Sequence, residues 1–156
     1  MSELLAQTTA DDVLIFYNDD RQFQRLVLEM QQSAAALHMS EELQYHCELV
    51  QLLSCCTEGK NYSTEIKCHG LIPLDDISRV MTHESCLPQI KSVYASFLVH
   101  CYIDTESEMK EVYNSRHIWQ LFATFIDDIE RVLNEDDFIF RYIFFIFSHL
   151  KTLFTF

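Results

Sequence analysis

Between Pro88 and Tyr102 the chain places Ile90, Val93, Tyr94, Phe97, Leu98 and Cys101 at i, i+3, i+4, i+7, i+8 and i+11. That spacing is one face of an α-helix and fits no strand, whose side chains alternate. Pro88 suits the first helical position, where its missing N–H costs nothing. A stripe this regular must be covered, and what precedes it consists of further helical pieces. A long amphipathic stretch ends at Gly59, a short helix opens near Asn61 and ends at Gly70, and a third follows Ile72-Pro73-Leu74 towards His83. The stretch from His46 to Tyr102 thus predicts four helices. Their rhythm is that of stacked armadillo-type repeats, units that bury their apolar faces only by packing on neighbours.

Composition supports an all-α chain. Only two Gly and two Pro occur in 156 residues, too little turn chemistry for an all-β fold, and 49% of residues are hydrophobic, enough for one packed domain. The 24 acidic residues outnumber the 11 basic ones, giving a net charge of −13. Nucleic-acid binding needs clustered cations that displace counterions, so that class is excluded. The first residues, MSELLAQTTADD, show neither a basic nor an apolar signal region. The six cysteines are therefore expected to be reduced thiols. For the same reason Asn61-Tyr62-Ser63 is read as a helix cap and not as a glycosylation site.

Taken in order, Asp11 and Asp12 open a short helix through Tyr17, and Asn18 and Asp19 cap a second from Asp20 to about Gln32. Phe23, Leu26, Val27 and Met30 form its stripe, and a loop is expected within Ser33–His38. Ser40 should cap the long central helix, with Glu41 and Glu42 in its first turn at the positive end of the helix dipole. Leu43, Cys47, Val50 and Leu53 form one face, which Leu49, Leu52 and Cys56 widen, as expected of a helix covered on more than one side. Thr105-Glu106-Ser107-Glu108 fits a capping box. Ser115 should cap the last strong helix, whose stripe is Ile118, Phe122, Phe125, Ile129 and Val132, broadened by Trp119 and Leu121. Residues 1–137 then make one helical segment. Residues 138–156, with seven of the 12 Phe, form an aromatic tail that departs from the helical pattern and is expected to lie outside the native fold.

No catalytic, cofactor or metal constellation emerges. Cys55, Cys56, Cys68 and His69 lack zinc-ligand spacing; Cys47, Cys86 and Cys101 fall on apolar helical stretches, and Cys56 on a core face, where thiols pack as small hydrophobes. His46, His83, His100 and His117 pair with no nucleophile and are expected on helix surfaces or partly buried. Asp104, Glu106 and Glu108 start like a calcium loop, but Met109 replaces the required Gly and Ser115 the closing Glu. Gly59-Lys60 lacks the earlier glycine of a phosphate loop, and Asp127 and Asp128 point about 100° apart on a helix. The chain is expected not to be an enzyme and to need no cofactor.

The blocks Cys56-Thr57-Glu58-Gly59-Lys60-Asn61, Thr64-Glu65-Ile66-Lys67-Cys68 and Ile72-Pro73-Leu74-Asp75-Asp76-Ile77 closely resemble the inositol trisphosphate receptor family. So do Thr82-His83-Glu84, His100-Cys101-Tyr102, Asp104-Thr105-Glu106 and Glu108-Met109-Lys110-Glu111. The likeness runs from Val13-Leu14 through Ile129 and is similar to the homology region shared with ryanodine receptors. It implies an armadillo-like solenoid within the cytosolic part of a homotetrameric calcium-release channel of the endoplasmic reticulum. Such a segment would relay ligand occupancy to a distant pore through contacts with other domains and subunits. The family's ligand site lies elsewhere, so no small-molecule ligand is expected here. The competing expectation is a free-standing helical scaffold that binds a protein or peptide.

Overall fold

A computed structural model describes residues 20–105 and 110–132, and all regular structure among them is helical. The elements are α1 (Asp20–Ala36), α2 (Glu41–Thr57), α3 (Tyr62–Leu71), α4 (Leu74–Met81), α5 (Pro88–Leu98), α6 (Lys110–Asn114) and α7 (Arg116–Val132). A π-helical turn, Val99–Ile103, continues α5. The all-α expectation holds. The expectations for Asp11–Asp19, for the Glu106 to Glu108 part of the capping box and for the tail 138–156 lie outside the described residues.

Helix boundaries follow local chemistry. Helix α1 runs past Gln32 to Ala36, so the chain reverses at Leu37 and not earlier in Ser33–His38. The backbone of His38 donates to the Ser33 carbonyl (3.2 Å) and that of Leu37 to Ala34 (3.3 Å), with Leu37 at φ 53°. This is the Schellman closure, built here on a leucine where glycine is usual. Ser33, buried in the last turn of α1, accepts from the Ser40 backbone at 3.1 Å.

Ser40 caps α2 as expected, accepting from the Leu43 amide at 3.3 Å, and its hydroxyl also donates to Glu29 on α1 at 2.7 Å. Ser40→Ala should therefore cost about 1–2 kcal/mol, losing the cap and the bond between helices. A urea midpoint unchanged from the parent chain would contradict this.

Helix α2 ends at Thr57; Gly59 (φ 83°) and Lys60 (φ 65°) make the left-handed turn beyond it. Asn61 caps α3, accepting from Thr64 N–H at 3.3 Å. Gly70 does not end α3. The helix continues through Leu71 and stops where Ile72 is extended, because a residue before proline is driven out of the α region. Pro73 is thus the breaker. Ser115 accepts from the Ile118 amide at 3.3 Å and caps α7.

The centre of the structure is α5. Its Ile90, Tyr94, Ala95, Phe97 and Leu98 are buried, and it packs on α2, on α4 and on the π-helical turn. Helix α2 also meets α3, α4 meets α7, and α1 contributes Phe23, Leu26, Val27 and Met30 to the same core. Ile118, Leu121 and Phe125 anchor α7 in it. Trp119 does not broaden that face: it is 47% exposed, edge-on to Phe122.

Candidate functional site

The feature that sets this core apart is a seam of polar groups along the faces of α2 and α5. His46 and Ser54 are both fully buried, and they share the inward face of α2 with Leu43, Cys47, Val50 and Thr57. The His46 Nε2 lies 3.0 Å from the Tyr94 hydroxyl, and the hydroxyls of Ser54 and Ser96 are 2.9 Å apart. Thr57 donates to the Ser54 carbonyl at 2.9 Å. Buried polar groups without partners are costly, so each pair favours one register of α2 against α5 and penalises slippage.

Below the seam the π-helical turn meets α3. The turn closes with the Asp104 amide donating to the Val99 carbonyl at 2.7 Å. His69 donates from Nε2 to the Cys101 carbonyl at 2.7 Å and stacks on Tyr102 with ring centroids 4.4 Å apart. Tyr102 in turn donates to the Ile72 carbonyl at 2.9 Å, and the Cys101 thiol contacts the Glu65 carbonyl at 3.7 Å. Wide turns of this kind concentrate where helices carry function. Here the turn aims three groups at α3 and the segment following it.

The sequence placed some of these residues differently. His46 is fully buried, not superficial, because Tyr94 gives its ring nitrogen a partner. His83, by contrast, is half-buried as expected, edge-on to Phe23, and accepts from the Ser85 amide at 3.2 Å. Leu52 and Cys56 do not widen the buried face of α2; both are exposed, while Leu49 is half-buried. Cys86 lies in the loop before α5. Ser54 carries no role in the sequence reading, although it follows Cys47 at i+7 and so lies in phase with the core stripe; His69, weighed there only as a zinc ligand, bonds the Cys101 carbonyl instead.

The zinc candidates are split between surface and core. Cys55 and Cys56 are exposed, Cys68 is buried, and His69 is engaged by the Cys101 carbonyl. Among the described residues no group of three or more His, Cys, Asp or Glu could hold a metal. Burial raises the thiols of Cys47 to about 11 and Cys86 to about 12, and lifts Cys68 and Cys101 as well. A thiol so raised is almost wholly protonated at neutral pH and a poor nucleophile. A thiol reagent at pH 7 should therefore modify Cys55 and Cys56 quickly, and Cys47, Cys68, Cys86 and Cys101 only as the chain unfolds. Fast modification of all six in the folded chain would contradict the burial described.

The cations are dispersed. Lys60 pairs with Asp104 (3.2 Å), Arg79 with Asp20 (2.7 Å) while lying over the Phe23 ring (3.9 Å), and Lys91 with Asp128 (2.7 Å). Lys67 is exposed on α3. These four basic residues sit on different elements, and three are held by carboxylates. A trisphosphate needs several donors converging on its phosphates. No helix among the described residues is long and apolar enough to cross a membrane.

No protein-family model matches the chain. A curated relative does: the inositol 1,4,5-trisphosphate receptor itr-1 of Caenorhabditis elegans is 40% identical over 124 residues, 77% of this chain. The chain belongs to the inositol trisphosphate receptor family. It spans 4% of the length of that receptor. Within the inositol trisphosphate receptor family, then, the described part of this short stretch is all-helical, with polar pairs joining α2 to α5.

Proposed function

We propose that this chain acts as a coupling segment of an inositol trisphosphate-gated calcium-release channel. In this reading it is an armadillo-like layer on the cytosolic side of the endoplasmic reticulum membrane, in contact with other domains and subunits of the channel. It binds no small molecule and catalyses no reaction. The similarity to the C. elegans receptor carries the proposal. The packing supports it: α5 is held by α2 and α4, and Lys91 ties it to α7, so a displacement of one outer helix is passed through the core to another.

The test is a chimera in which this chain replaces the matching segment of the C. elegans receptor. We expect a tetramer that binds inositol trisphosphate and releases calcium from microsomes. A folded, tetrameric chimera that binds ligand and never releases calcium would defeat the coupling role.

A further inference from the structure

Helix α2 is apolar on two sides, and among the described residues only one of them is buried. At about 100° per residue, Tyr45, Leu49, Leu52 and Cys56 fall within about 60° of arc, centred about 140° from the buried face of Leu43 to Thr57. Tyr45 and Leu52 are each 56% exposed, Cys56 is exposed and Leu49 is half-buried. Their spacing, i, i+4, i+7 and i+11, is the spacing of a seam between two helices. An apolar stripe rimmed by polar groups marks an interaction surface.

The rim identifies the occupant. Glu41 and Glu48 flank the stripe on one side and Glu42 on the other, all three exposed, and α2 contains no Lys or Arg. A second copy of this chain, at net charge −13, would set carboxylates against carboxylates. A helix whose apolar stripe is flanked by Lys and Arg would complement the rim. The chain spans 4% of its C. elegans relative, so most of a receptor polypeptide remains to supply one. We propose that the outer face of α2 is a docking surface for a basic amphipathic helix from another part of the same receptor polypeptide. This rests on the family reading above.

Adjacent cysteines provide the test. Both are exposed, but Cys56 lies in the stripe and Cys55 about 60° outside it. In the isolated 156-residue chain, maleimide should label both at similar rates. In the tetrameric C. elegans chimera, Cys56 should label at least about tenfold more slowly than Cys55, because labelling must wait for the seam to open. Leu52→Glu should restore Cys56 labelling without altering the fold, since Leu52 is exposed.

Equal labelling of the two cysteines in the tetrameric chimera overturns the proposal. So does protection of Cys56 in the isolated chain that grows with concentration, which would assign the face to a second copy. A chimera that releases calcium while Cys56 stays reactive defeats this inference alone. One with Cys56 protected and no calcium release defeats the coupling role alone. Peptides of about 20 residues tiling the C. elegans receptor, long enough to form helices, give a measurement independent of assembly. By fluorescence anisotropy on the isolated chain, the binders should be basic and amphipathic. Their affinity should fall about tenfold with Leu52→Glu, and again when Glu41, Glu42 and Glu48 are all changed to Gln. Absence of any binder, or binders of acidic sequence, overturns the proposal.

Discussion

Phe97→Asp is expected to abolish the helical fold of the isolated chain. Phe97 is fully buried on α5 and meets the Tyr102 ring edge-on at 6.4 Å. Removing a buried phenyl ring alone costs about 3–5 kcal/mol. An ionised carboxylate in the same place adds a desolvation penalty that nothing nearby offsets. Together these rival the whole stability of a small domain, about 5–15 kcal/mol. Far-ultraviolet dichroism should lose its helical signal, while Phe97→Leu, which stays apolar, should cost only about 1–3 kcal/mol. Placed in the receptor chimera, Phe97→Asp should weaken calcium release and leave inositol trisphosphate binding near normal. If affinity collapsed while the tetramer remained intact, binding and coupling would not be separable in the way proposed.

The second large effect is expected at the ion pair between α5 and α7. Lys91 and Asp128 are 2.7 Å apart, with side chains only 18% and 13% exposed. A pair so enclosed is screened little by solvent, and losing one partner leaves a charge in poor surroundings. Lys91→Met should cost about 1–3 kcal/mol in denaturant unfolding, below the full buried-pair figure because some exposure remains. Changing Asp128 to Leu in the same chain should recover most of that loss, since two apolar groups replace two charges. A single-variant cost under about 0.5 kcal/mol would place the pair with ordinary surface ion pairs.

The stripe on α5 was plain in the sequence because its period is long and unbroken, and the caps at Ser40, Asn61 and Ser115 were plain because their chemistry is local. Gly70 misled because a glycine ends a helix only where the backbone needs a left-handed turn, and here Pro73 had already fixed the break. Leu52 and Cys56 misled for a different reason. Periodicity shows that a face is apolar, but not whether its cover lies within the same stretch of chain. The polar seam was illegible because His46 and Tyr94 are 48 residues apart. Neither residue alone distinguishes a buried partner from a solvated side chain.

The π-helical turn bears on how this chain can change over evolutionary time. In a continuous α-helix, Tyr102 would stand about 140° around the axis from Phe97. The wider winding of Val99–Ile103 brings it back to the core side, where it meets both Phe97 and the Ile72 carbonyl. The turn holds one residue more than the same winding of α-helix would, and the placement of Tyr102 depends on it. Side-chain exchange should be tolerated at the half-buried His100 and Ile103, whereas Val99, Cys101 and Tyr102 are buried. Deleting one residue from it would swing Tyr102 away from its partner and re-aim the chain that leads to α6 and α7. Length, as well as the buried side chains, is the conserved quantity to expect at this point.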